Sequence, residues 1–330
     1  MTKVIAVAAL AVWVLSTSAQ AAGYHVIDRL AGPDGGWDYA NYDARNDRVL
    51  VARGAAVNAF DLKTRSVNPN FAPAAWGHAA MPIKGGTEVL VTNGAKAIAT
   101  FVDAETGAPI ASVPTGTGPD DAIVDPKSGL LLVMNHAGGT ITLIDLNTHT
   151  SVGTIAVGGT LEAAATDGKG KVFVNVEDKN QIAVVDVAKR EVINRYELAG
   201  CEGPTGIAYD SADRLLISSC DGVAEVVAAD TGKVIDQIKI GDGADGVAYD
   251  PVRHLAFVPA GKSGTLSVIA ITKGRAKLVE TVATQRGART LAMDIKGGRI
   301  FLPTAKYATA IGTARPTVIP GTFELLIVGK

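Results

Sequence analysis

Short apolar strands along this chain end at aspartates spaced almost evenly. The anchors are Asp43, Asp125, Asp167, Asp210, Asp250 and Asp294, in the segments YANYD, DAIVD, AAATD, GIAYD, GVAYD and LAMD. From Asp125 onward the intervals are 42, 43, 40 and 44 residues. The 82-residue gap from Asp43 to Asp125 holds two periods, with the middle anchor replaced near Ile83-Lys84. A period of about 40 to 45 residues with several strands per unit is that of a propeller blade. Seven units predict an all-β chain folded as a seven-bladed β-propeller of four-stranded antiparallel blades.

The ends of the chain predict how the ring closes. Gly321-Lys330 reads as a third strand with nothing after it, and Tyr24-Leu30 as a fourth strand with no blade before it. Pairing them completes the last blade with the N-terminal strand and removes an open sheet edge.

Residues 1–21, MTKVIAVAALAVWVLSTSAQA, combine an early lysine, an apolar stretch and an Ala19-Gln20-Ala21 end. This fits a secretory signal peptide cut after Ala21. The alternative, a membrane anchor, needs a longer apolar span than Val4 to Leu15. Residues 22–330 are then one propeller domain, expected in the periplasm as a monomer with no transmembrane segment. A blade packs only on its neighbours, so about 309 residues can form one ring. Without Lys3 the chain has 30 basic against 33 acidic residues, a formal charge of −3. No basic cluster is present to neutralise phosphates, so nucleic acid is not an expected partner.

Cys201 and Cys220 are the only cysteines. An oxidising compartment favours a disulfide between them, and the antiparallel strands they flank end on the same side of a blade. Free thiols and metal ligation are the other possibilities. The aspartates that end third strands, Asp61, Asp103, Asp145, Asp186 and Asp230, precede polar turns and are expected to cap backbone N–H groups rather than catalyse; the anchor aspartates carry the same expectation.

Five residues before each anchor position, an inner strand begins beside the axis. Around the ring these positions are Asp38, His78, Asp120, Glu162, Thr205, Asp245 and Arg289. Loops after the second strands add Asn93, Asn135, His136, Glu177, Asp178, Asp221 and Lys306 to the same face. The expected ligand-binding set is Asp38, His78, Asp120, Asp121, His136, Glu162, Asp245 and Arg289. Within it, His78, His136, Asp120 and Glu162 could hold a divalent cation. For catalysis, Glu162 or Asp120 would pair with His78, and Arg289 would stabilise negative charge. A hydrated channel mouth with no ligand is the plainer alternative. Trp37, Trp76, Tyr39 and Tyr307 near this mouth could stack on a ring or wedge blades together. The loop Thr304-Pro320, with two prolines, is long for such an economical repeat and should reach the same face.

Familiar catalytic motifs are missing. Gly261-Lys262-Ser263 ends like a phosphate loop, but residue 256 is Ala and a strand follows. No G-x-S-x-G, C-x-x-C, C-x-x-C-H or H-E-x-x-H occurs.

The segment GPDDAIVDPKSGLLLVMNHAGGTITLIDLNTHTSVGTIAVGG, residues 118–159, looks like a YVTN-type repeat, and the chain resembles the YncE-like periplasmic β-propellers over its whole mature length. GGWDY at Gly35-Tyr39, VNVEDK at Val174-Lys179, CEGPTG at Cys201-Gly206, TQRGART at Thr284-Thr290 and RPTVIPGTF at Arg315-Phe323 are more particular matches. The resemblance implies a seven-bladed propeller with binding or surface roles and supplies no catalytic residue. The chain departs from the pattern in its second repeat, which lacks the anchor aspartate. Its sixth repeat has Ile271-Thr272-Lys273 in place of an Asp turn, and its seventh-blade loop is shorter and less proline-rich than is common. The expected function is a ligand-binding or protein-interaction module working through the polar central face, with a small molecule, an envelope component or a periplasmic protein as partner. The rival is a lactonase-like or other hydrolase, with or without a divalent metal, with its site at the channel mouth.

Overall fold

The computed structural model describes residues 23–308 and 316–330. The expected signal peptide lies outside the described residues, as does the middle of the Thr304-Pro320 loop. Seven four-stranded antiparallel sheets form the ring. In blade 3 the strands run Pro119–Val124, Leu130–Asn135, Thr140–Asp145 and Thr150–Ala156, from the axis outward. The inner strands of the other blades begin at Ala40, Gly77, Leu161, Ile207, Ala248 and Ala292.

Burial explains the sequence pattern. The second and third strands of a blade are covered on both faces by neighbouring blades, so they read as apolar runs such as LLLVMN and TITLID. Outer strands touch solvent and alternate, as in EVINRYE of blade 4. The buried side chains fall into seven clusters, one at each interface between adjacent blades. Leu132, Met134, Ile141 and Leu143 of blade 3, for example, pack on Leu161, Val172, Val174 and Val185 of blade 4. The hydrophobic core is thus divided between the interfaces, which lets a long chain fold as one ring.

Closure follows the expected route. His25–Ala31 pairs antiparallel with Glu324–Gly329, from His25↔Gly329 to Ala31↔Glu324, and becomes the outer strand of blade 7. The sixth repeat solves its missing Asp turn differently. Thr265–Thr272 and Arg275–Ala283 meet in a two-residue hairpin through Lys273 (φ 53°) and Gly274 (φ 72°). Positive φ at both positions is the geometry of a type I′ turn, which suits a tight hairpin.

The anchor aspartates do cap turns. Asp43 accepts from Asn46 N, Asp125 from Ser128 N, Asp167 from Lys169 N, Asp210 from Ala212 N, Asp250 from Arg253 N and Asp294 from Gly297 N. Among the third-strand aspartates, Asp61, Asp103, Asp145 and Asp186 accept backbone N–H groups two or three residues on. Asp230 does not. Its strand ends earlier, at Ala228, and its carboxylate pairs with Arg214 instead. Cys201 and Cys220 form a disulfide with a Cα–Cα distance of 5.4 Å inside the cluster between blades 4 and 5.

Candidate functional site

Inner strands converge on the axis, and in three consecutive blades they are irregular at the positions that matter. Register shifts fall between Gly77 and Ala80 in blade 2, Pro119 and Ala122 in blade 3, and Leu161 and Ala164 in blade 4. The residues inside those bulges are His78-Ala79, Asp120-Asp121 and Glu162-Ala163. A bulge bends a strand and re-aims side chains. Here it accompanies the turn of His78, Asp120 and Glu162 into the mouth.

Cross-blade hydrogen bonds hold these positions. Thr92 Oγ1 donates to the Asp120 carbonyl at 2.7 Å, Thr290 Oγ1 to the Asp38 carbonyl at 2.9 Å, and Tyr39 N to the His78 carbonyl at 3.1 Å. Arg53 fixes the loop that carries Trp37 and Asp38 by donating to the Gly36, Pro33 and Gly35 carbonyls at 2.6, 3.0 and 2.8 Å. Gly35 has φ 131°, and a Cβ there would sit 3.1 Å from Arg53 Nη2, so the Gly35-Gly36 pair suits this clamp.

Six of the seven ring positions line one cavity of about 270 Å³: Asp38, His78, Asp120, Glu162, Asp245 and Arg289, joined by His136, Tyr39 and Gly118. Thr205 is the exception; its hydroxyl lies 3.4 Å from the Ser219 and Ala244 carbonyls. Asp121 departs from the expected set. The pleat turns it down the channel, where it lines a separate cavity of about 130 Å³ with Asn41, Gly206 and Gly246, and it accepts Ala164 N at 3.3 Å. Tyr39 lines both spaces.

Of the loop residues expected on this face, only His136 lines the mouth cavity. Asn93 and Asn135 are buried braces: Asn93 accepts Ala75 N, and Asn135 donates to Thr140 and Thr142. Asp178 accepts Thr160 N, and Asp221 pairs with Lys262. Trp37 wedges blade 7 against blade 1, with its ring 5.2 Å from Phe323 and 6.4 Å from Tyr307. Trp76 is 72% exposed on the loop leading into His78 and has φ 51°. The seventh-blade loop starts and ends as a short bridge between Tyr307 and Val318, beside a second cavity of about 290 Å³ that also touches Arg289.

Within the mouth the charged groups are close. His78 Nδ1 lies 2.7 Å from Asp38 Oδ2 and 3.1 Å from Asp120 Oδ1. His136 Nδ1 lies 3.0 Å from Glu162 Oε1 and 3.1 Å from the Leu161 carbonyl. Arg289 donates through Nε to Asp245 at 2.7 Å and through Nη2 to the Trp37 carbonyl at 3.0 Å. Burial, then the neighbouring carboxylates Asp38, Glu162, Asp121 and Asp245, push the Asp120 carboxyl well above its usual range. Burial also raises Glu162 and Asp245, against the pull of His136 and Arg289 respectively. The Glu162 carboxylate raises His136. Chemically, the mouth is an acidic pocket with two imidazoles and one guanidinium committed to its own wall.

No protein-family model and no curated protein matches the chain. Among solved structures, a chain of a crystal structure of the mitotic checkpoint complex superposes with a TM-score of 0.75 at 14% identity, covering 99% of this chain and 98% of that one. At that identity the likeness is one of fold, the seven-bladed ring. The propeller is an architecture suited to binding and protein interaction, and its specificity must come from the site.

Proposed function

We propose that this chain is a secreted periplasmic propeller of the YncE-like kind, whose central mouth binds a small, positively charged ligand. The observation that carries the reading is the convergence of four carboxylates, Asp38, Asp120, Glu162 and Asp245, on one cavity with a single guanidinium. The anchor aspartates and the interface clusters build the blades without these groups. A space of about 270 Å³ suits a compact ligand rather than a polymer. Trp76, exposed on the neighbouring loop, offers a face for a cationic group. The sequence of residues 1–21 and the YVTN-type repeat support the compartment and the kinship.

The test is calorimetry and thermal shift in the presence of chelator, with a panel of small amines and matched neutral and anionic analogues. Cationic members should bind and raise the melting temperature, and the double variant D120N/E162Q should lose both effects while unfolding cooperatively. Equal responses to anions, or undiminished affinity in the double variant, would sink the reading. A hydrolase stands second because Glu162 and His136 are within hydrogen-bond reach. Among the described residues the cavity lining has no serine, threonine or cysteine, so hydrolysis there would use a carboxylate or an activated water. Lactone turnover abolished by E162Q alone would move that reading forward.

A further inference from the structure

The mouth has more acceptors than donors. A neutral imidazole carries one ring proton. At His78 Nδ1, Asp38 at 2.7 Å and Asp120 at 3.1 Å compete for that proton, and the shorter contact wins. At His136 Nδ1, Glu162 at 3.0 Å competes with the Leu161 carbonyl at 3.1 Å. Arg289 already serves Asp245 and the Trp37 carbonyl. Asp120 and Glu162 are only 7% and 8% exposed, and both face the cavity. Among the described residues, the Asp120 side chain meets no donor besides the Nδ1 it shares with Asp38. A buried carboxylate in that position is costly unless a proton or a positive charge reaches it.

The donor atoms are also spaced for a metal. They form two triplets that share Asp120: Asp38, His78 and Asp120, and Asp120, His136 and Glu162, with the atoms of each triplet within 4.8 Å of one another. Bonds of about 2.0–2.2 Å place adjacent ligands roughly 3 to 3.6 Å apart. The 3.1 Å approach of His78 Nδ1 to Asp120 and the 3.0 Å approach of His136 Nδ1 to Glu162 match such edges, with the ion taking the place of the ring proton held between each pair. The second triplet holds both of the nine-tenths-buried carboxylates, Asp120 and Glu162, and leaves the His78–Asp38 contact intact, so it is the better set.

We infer that the mouth is a divalent-cation site centred on Asp120, with Glu162 and His136 completing the protein's share of the shell and the His78–Asp38 pair bracing Asp120 from behind. This rests on the cation-binding reading above and names the ligand class. Mixed imidazole and carboxylate donors favour a borderline first-row ion such as zinc or nickel over calcium or magnesium, which prefer all-oxygen shells. Three protein donors leave positions for water or for a ligand group, so the metal would complete the pocket without closing it.

The test uses untagged mature protein stripped with chelator and dialysed against zinc, nickel, calcium or magnesium, with metal content and affinity measured directly. The expected result is about one zinc or nickel ion per chain, with affinity lowered by on the order of 100-fold in D120N and at least about 10-fold in H136Q. H25Q, which removes an exposed histidine far from the mouth, should bind normally. No bound ion, undiminished affinity in D120N, or loss in H25Q would overturn the inference. Should D120N fail to fold, the double variant H78Q/H136Q replaces it and must lose the ion while keeping its unfolding transition. Amine binding in chelator without any metal binding overturns this inference alone, whereas failure of both overturns the acidic-pocket reading itself.

Discussion

Removing one charge from the channel should make the protein more stable, and the size of the gain can be worked out at Asp121. Burial lifts this carboxyl from 3.8 to about 7, opposed by N–H groups of Ala122 and Ala164 and assisted by Glu162 and Asp38. In the unfolded chain the group titrates normally. The folded state therefore holds a proton that the unfolded state has released, over the window from about pH 4 to about pH 7. Stability from this group is fully present below that window and is lost as pH rises through it. A shift of about three units at about 1.36 kcal/mol each sets a ceiling of about 4 kcal/mol. The side chain is only partly buried, so roughly half of that, ~2 kcal/mol, is the expected loss at pH 8. Asp121→Asn keeps the shape and the carbonyl that accepts Ala164 N but cannot ionise. Urea unfolding of both proteins should give matching stabilities near pH 4 and an advantage of ~2 kcal/mol for the variant at pH 8. Because the Asp121 charge also helps to raise Asp120 and Tyr39, the difference reads Asp121 together with its repulsion of those neighbours, which acts in the same direction. A gap that does not widen with pH, or a variant weaker at pH 8, would refute the argument.

Two further perturbations address the scaffold. C201S/C220S should lower the unfolding free energy by about 3 kcal/mol in the chain-entropy picture, and reductant should lower the wild-type protein to the same level while leaving the variant unchanged. Arg53→Met leaves three carbonyls without their charged donor and should cost ~3 kcal/mol in urea unfolding. It should also weaken binding at the mouth through the freed Trp37-Asp38 loop; unchanged affinity would show that Arg53 does not position Asp38.

The repeat made the ring legible because each blade reuses one solution: an apolar middle pair, an aspartate-capped turn and a small inner strand. Spacing also brought the right residues to one end of the axis, since a fixed offset from a structural anchor is a fixed place in a blade. What spacing could not supply was depth. Asp120 and Asp121 are adjacent in sequence, yet the pleat sends one to the mouth and the other into the channel. Nor could it separate loop residues that face the opening from those folded back into a blade. Asn135 and His136 are neighbours, but the amide braces Thr140 and Thr142 while the imidazole lines the cavity. Asp230 misled for a related reason: the strand-ending position paired with Leu215 is Ala228, so Asp230 lies two residues beyond the place that the other aspartates occupy.

Inner-strand bulges help to turn the charged groups of the pocket toward the axis. Blades 2, 3 and 4 each carry one extra residue at the mouth end of the inner strand, within His78-Ala79, Asp120-Asp121 and Glu162-Ala163. In blade 5 the inner strand begins only at Ile207, and Thr205 stays bound to the backbone beside it. The extra residue recurs in other blades, with Asp38-Tyr39 opposite Ala52, Thr205-Gly206 opposite Ser219 and a register shift between Ala244 and Ala248, so it belongs to the blade. The choice of carboxylates at Asp38, Asp120, Glu162 and Asp245 is what brings mutually repelling groups together at a cost in stability. Such a cost persists when a bound cation offsets it. If these carboxylates served only the blade fold, D120N/E162Q would stabilise the protein and leave every binding property unchanged. If they serve a cation, the same variant gains stability in chelator and loses the further stabilisation that zinc or nickel confers on the wild-type chain.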